Sequence, residues 1–197
     1  MSQKFQLKWG ILATGGIAES FGRDLTVNPE TRGVNDIEHV IVAAASSSSA
    51  DRAKNYLKTI KAPESAKAYG SYKELVADPN VDIIYVATPH SHHYQNAMQC
   101  LEGGKNVLCE KSLTVNAKQT ELLIKKAKEK NVFLMEAVSG TIAFVLTSIG
   151  LTSILIALDP LLPTLDIRSR SHHFWQDWYS RTHVCGSELC FSARDVF

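Results

Sequence analysis

Three short stretches hold the residues whose types and spacing could do chemistry. The first is GILATGGIAESF. Set against the dinucleotide-binding pattern G-x-G-x-x-G/A, Ala13 stands at the first glycine position, Gly15 at the second and Ala18 at the third, with Thr14, Gly16 and Ile17 between them. The pattern asks for a tight turn, a bare backbone against a pyrophosphate and a small residue where helix meets strand. The helix that follows aims its unpaired N–H groups at the phosphates. A glycine turn between strand and helix is also a common structural device, so the motif needs its context.

The second stretch is AAASSSSADRA, the end of the second apolar run. Sites that select NAD place a carboxylate there to grip the ribose 2′-hydroxyl. No acid precedes Asp51 here, which removes the main repulsion against a 2′-phosphate. Ser46, Ser47, Ser48 and Ser49 offer hydroxyl donors, and Arg52 offers charge from the first helical turn. NADP is expected over NAD, with a plain serine loop as the alternative.

The third is VATPHSHHYQNAMQCLEGGKNVLCEKSLTVN. Loops at the carboxyl ends of parallel strands carry ligands, and this one presents Thr88, Pro89, His90, His92 and His93. The H-x-H-H spacing lacks a carboxylate or thiol partner at metal-ligand distance, so no metal is expected. The next strand ends in Glu110 and Lys111, with the lysine placed to point its ammonium toward the nicotinamide space. A plain surface lysine after a strand is the competing reading.

These stretches need a scaffold, and the first 138 residues alternate β-rich and helical runs. Strands are expected at Leu7–Leu12, His39–Ala45, Val81–Ala87, Asn106–Cys109 and Val132–Met135, with a short one near Ala66–Tyr69. Helices are expected at Ile17–Val27, Ala50–Ile60, Ser71–Ala77, His92–Glu102 and Asn116–Lys130. VIVAAA and DIIYVAT are apolar almost throughout, as strands covered on both faces are. Strand–helix alternation with short links implies an α/β fold with a doubly wound parallel sheet of Rossmann type.

With that order in view, GILATGGIA, TPHSHHYQNA, LEGGKNVLCEKSLTVN and NVFLMEAV together resemble the Gfo/Idh/MocA oxidoreductases over about residues 4–138. Within that family the likeness is to the branch of dimeric dihydrodiol dehydrogenases and fungal NADP-dependent D-xylose 1-dehydrogenases. The resemblance implies nicotinamide-dependent oxidation of a cyclic sugar or diol. By carry-over, Gly15 to Ala18 cradle the pyrophosphate, and Thr88, Pro89 and His90 line the nicotinamide side. His93 takes the place of the family's post-strand histidine, and Lys111 that of the Glu-Lys-Pro lysine, whose ammonium would hold the substrate oxygen. Ser112 stands where the family has a proline that commonly follows a cis bond. A non-proline residue strongly favours trans, so a trans bond and a mis-aimed Lys111 are expected. A non-catalytic or regulatory nucleotide-binding module is the rival from another class.

Composition narrows the class and marks a boundary. With 45% hydrophobic residues, 21% charged residues and a net charge of +1, nothing points to nucleic acid or a membrane surface. Four cysteines suit no secreted disulfide framework, and MSQKFQLKWG lacks a signal peptide's apolar core, so the cytoplasm is the expected compartment. All fourteen lysines lie at or before Lys130. Ala137 to Leu158 then runs 22 residues without a charge, eight of them Ser, Thr or Gly. The stretch 139–197 does not resemble the family's substrate and dimerisation domain. It reads as an altered continuation, such as a truncated gene product, with a diluted membrane span or a separate folded appendage as alternatives. On that expectation, activity is impaired and the family-type dimer face is absent.

Overall fold

The computed structural model describes residues 4–28 and 37–137. Its strands are β1 (Phe5–Leu12), β2 (Ile37–Ala45), β3 (Lys67–Tyr69), β4 (Ile83–Val86), β5 (Asn106–Glu110) and β6 (Leu134–Ala137). Its helices are α1 (Gly16–Leu25), α2 (Ala50–Thr59), α3 (Tyr72–Ala77), α4 (His93–Glu102) and α5 (Ala117–Lys130). The strands form one parallel sheet in the order β3-β2-β1-β4-β5-β6. This is the doubly wound arrangement expected from the unbroken apolar runs.

Those runs are apolar because both faces of the sheet are covered. One face packs Trp9, Ile11 and Tyr85 against Phe21 of α1 and Tyr56 and Leu57 of α2. The other packs Leu12, Ile84 and Val107 against Leu75 of α3, Leu101 of α4 and Leu123 of α5. Side-chain caps fix where helices start. Ser49 accepts from Arg52 N–H, Ser71 and Glu74 form a capping box, and Asn116 accepts from Gln119 N–H. Gly104, at φ 73°, takes the left-handed position that closes α4.

Most expected boundaries move by one or two residues, β6 from Val132–Met135 to Leu134–Ala137 among them, and two of the moves have a visible cause. β4 starts at Ile83 and not at Val81, because the Val81 N–H turns back to the Asp78 carbonyl. The expected helix from His92 begins instead with a 3₁₀ turn over His90–His92 before α4 starts at His93. The tail expected at 139–197 lies outside the described residues. Among the described residues, no helix is long and apolar enough to cross a membrane.

The pairing register aligns the strands at one rim. Leu12 lies beside both Ala45 and Val86, Val86 beside Cys109, and Glu110 beside Ala137. The segments that follow these residues are therefore brought to the same edge, and every sequence-predicted site residue sits there.

Candidate dinucleotide site

The glycine turn leaves β1 at Ala13, whose φ is 83° and whose N–H donates to the Ala45 carbonyl at 3.1 Å. A left-handed residue at this point is what the turn requires, and alanine supplies it where glycine is usual. Gly15 is the N-cap of α1, in extended backbone and with no side-chain cap. A Cβ built on Gly15 or Gly16 would meet no atom within 4 Å. The protein itself makes no steric demand for these glycines. What they keep clear is the approach to the uncapped N–H groups of α1, the cradle a pyrophosphate needs. Thr14 and Ile17 flank the opening, Ile17 about half exposed, while Ala18 is fully buried against the sheet.

The serine loop divides its work. Ser46 is buried, and its hydroxyl oxygen accepts the Ser48 N–H at 3.4 Å and lies 3.2 Å from Ser48 Oγ. Ser49 is committed to capping α2. Ser47 and Ser48 are exposed, and the Arg52 guanidinium donates to Ser48 Oγ at 3.2 Å. The outward-facing group is therefore Ser47, Ser48 and Arg52, with no carboxylate in the segment between β2 and α2 before Asp51.

Beyond β4 the expected nicotinamide-side residues split by burial. Pro89 and His90 are exposed, and His90 Nε2 lies 3.1 Å from the Thr114 carbonyl. Thr88 and His93 are buried. Each ring nitrogen of His93 faces a carbonyl oxygen, Nδ1 that of Ser112 and Nε2 that of Thr88, both at 2.8 Å. His93 thus ties the β4 loop to the β5 loop. His92 Nδ1 instead meets the Ser91 hydroxyl at 3.0 Å. Among the described residues, no group of three or more His, Cys, Asp or Glu could hold a metal ion.

At the end of β5, the buried Tyr85 phenol donates to Glu110 Oε1, and Lys111 N–H donates to Glu110 Oε2 at 3.1 Å. Burial, then the Glu110 charge, pushes the Tyr85 phenol above its ordinary value, so it remains the donor. Lys111 is exposed, and its ammonium makes no hydrogen bond or ion pair among the described residues. The expected trans bond is corrected: the Lys111–Ser112 peptide is cis. The expectation weighed the isolated bond, whereas the fold holds both sides of it. The Ser112 carbonyl lies 2.8 Å from His93 Nδ1, and Leu113 N–H donates to Glu136 Oε1 at 2.7 Å.

Three contributors went unseen in the sequence. Asn96 donates to Thr88 Oγ1 at 3.1 Å, and its place on an apolar helix face could have flagged it. Glu136, inside LMEA, reads as an ordinary strand residue. Tyr56 donates to the Ala18 carbonyl at 2.7 Å from 38 residues away, a link that no local pattern signals.

Relatives carry the same architecture. Residues 7–138 match the oxidoreductase family GFO_IDH_MocA, NAD-binding Rossmann fold. The chain is 63% identical over 134 residues to D-xylose 1-dehydrogenase (NADP(+)) of Hypocrea jecorina, covering 68% of this chain and 34% of that protein. It is 44% identical over 130 residues to trans-1,2-dihydrobenzene-1,2-diol dehydrogenase of Xenopus laevis, covering 66% and 36%. The fold is similar to KijD10, a 3-ketoreductase from Actinomadura kijaniata in complex with NADP, at TM-score 0.58 and 28% identity over 66% of this chain and 38% of that one. The chain spans about a third of the length of the curated relatives it matches. By the match over residues 7–138, and with the glycine turn and the Glu110-Lys111 strand end in their expected places, the chain belongs to the Gfo/Idh/MocA oxidoreductase family.

Proposed function

We propose that this chain binds NADP and supplies the cofactor half of an oxidoreductase acting on a cyclic sugar or diol. The observation that carries the reading is the rim itself. The open, uncapped start of α1 lies beside an acid-free β2 end bearing Ser47, Ser48 and Arg52. Gly15 to Ala18 would receive the pyrophosphate, while Ser48 and Arg52 would take the 2′-phosphate. Pro89 and His90 would line the nicotinamide side. NADP, when bound, supplies a two-electron hydride acceptor.

Lys111 has the properties of a substrate-orienting cation. It is exposed at the rim, its ammonium is unengaged among the described residues, and its backbone is anchored through Glu110 to Tyr85. Its role would be to donate to a substrate hydroxyl oxygen and stabilise the negative charge left there as the hydroxyl proton is lost, charge that the hydride would then carry to NADP. Residues 4–138 form the cofactor domain in this reading, with a boundary near Val138. D-xylose is the first substrate to test, because the relative at 63% identity is named for it.

The test is calorimetric titration of the purified chain with NADP and with NAD, followed by a search for D-xylose-dependent NADPH formation. The reading expects NADP to bind more tightly than NAD. Equal or tighter NAD binding would overturn the cofactor assignment. Tight NADP binding without turnover of any sugar or diol would favour a non-catalytic nucleotide-binding module.

A further inference from the structure

We propose that Asn96 is a positioning residue for the nicotinamide side of the site, acting through Thr88; the inference rests on the NADP reading above. Asn96 lies one turn after His93, on the face of α4 that also carries Ala97, Cys100 and Leu101. Those three neighbours are fully buried, and Asn96 itself is 8% exposed. An amide at such a place is costly unless it is hydrogen-bonded, and an aliphatic side chain would pack there without that cost.

The amide has one particular partner. Asn96 Nδ2 donates to Thr88 Oγ1 at 3.1 Å, while His93 Nε2 meets the Thr88 carbonyl at 2.8 Å. Residues i and i+3 of one helix thereby hold both the side chain and the backbone of Thr88. Pro89 and His90 emerge directly after it and are exposed at the rim. The direction in which they leave β4 is set by how Thr88 is held. An apolar pair of matching shape could replace the Asn96–Thr88 bond at little cost in stability. What such a pair could not supply is the orientation, which marks the bond as a device of the site.

The experiment uses the full chain and two ligands, NADP and 2′-phospho-ADP-ribose, which lacks the nicotinamide. Asn96→Leu and Thr88→Val should each weaken NADP binding roughly fivefold, about 1 kcal/mol. Binding of 2′-phospho-ADP-ribose should stay within about twofold, and the double variant should be no weaker than either single one. A role confined to stability would lower the melting temperature and leave the ratio of the two affinities where it was. An unchanged ratio, or fully additive losses, overturns the inference. Thr88→Val is close to isosteric and carries the test alone if Asn96→Leu does not fold. Failure of the unaltered chain to bind either ligand would overturn the NADP reading and this inference together. Binding of both ligands with an unmoved ratio in the variants would overturn the inference alone.

Discussion

The phenol of Tyr56 lies over the bare Cα of Gly22 while donating to the Ala18 carbonyl at 2.7 Å, so α1 and α2 meet where a side chain is missing. A Cβ at residue 22 would stand 2.6 Å from Tyr56 Oη and 3.0 Å from Ile60 Cδ1. Overpacking of this kind costs about 1–3 kcal/mol. Alanine is the better helix former by about 1 kcal/mol, which offsets part of that. Gly22→Ala should therefore lower stability by roughly 1 kcal/mol net, read as a lower urea midpoint. Adding Tyr56→Phe should recover part of the loss by removing the colliding oxygen. A neutral or stabilising Gly22→Ala would show that α2 yields freely.

Ala13 offers the opposite case. Its φ of 83° costs an L-residue about 1–2 kcal/mol that glycine avoids. Glycine returns about 0.5–1 kcal/mol of that as extra freedom in the unfolded chain. Ala13→Gly should then stabilise the fold by roughly 0.5–1 kcal/mol, seen as a higher melting temperature. NADP affinity should hardly move, because the turn already has the backbone the ligand needs. A lower melting temperature would contradict this account of the turn.

Acid should weaken the fold through His39. Its Nδ1 accepts from the Trp9 indole at 3.1 Å, and burial pulls its pKa from 6.5 down to about 4. The depressed folded value means the unfolded chain takes the proton first as pH falls. The contribution is complete above pH 6.5 and is lost between there and about pH 4. Its size is up to about 3 kcal/mol. His39→Gln keeps an acceptor and abolishes the titration. Its stability relative to the unaltered chain should improve between pH 7 and pH 4.5, measured by urea unfolding. A pH-independent difference would refute the assignment.

The sheet and the glycine turn were legible because their signals are local. Unbroken runs such as DIIYVAT mark doubly covered strands, and Gly15, Gly16 and Ala18 follow one another within a single turn. Asn116 likewise announces its helix within three residues. What escaped depends on pairings that form only when distant segments meet. Tyr56 with Ala18, Asn96 with Thr88 and Glu136 with Leu113 are of this kind. The cis Lys111–Ser112 bond escapes a sequence reading for the same reason. Residue type speaks for the isolated peptide, whereas His93 and Glu136 hold its surroundings from other elements. In sequence the serine run offers four like donors, and only the structure separates buried Ser46 and capping Ser49 from exposed Ser47 and Ser48.

That separation yields a prediction about cofactor choice. Ser46 and Ser49 hold the loop, so Ser46→Ala and Ser49→Ala should lower stability and weaken NADP and NAD alike. Arg52 differs, because its guanidinium reaches out over the loop to Ser48 Oγ. A hydrogen bond to a charged partner is worth about 1.5–3 kcal/mol, so Arg52→Ala should weaken NADP roughly tenfold or more. NAD, lacking the 2′-phosphate, should stay within about twofold. Ser48→Asp should act in the same direction by a different route. Its carboxylate would neutralise Arg52 and repel the phosphate, closing the gap between the two cofactors. NADP affinity should also fall more steeply with added salt than NAD affinity, since only the former depends on this exposed charge. Titrating both cofactors against the three kinds of variant decides the matter. If Arg52→Ala weakens NADP and NAD equally, the 2′-phosphate is held elsewhere, and the acid-free end of β2 is no more than a loop.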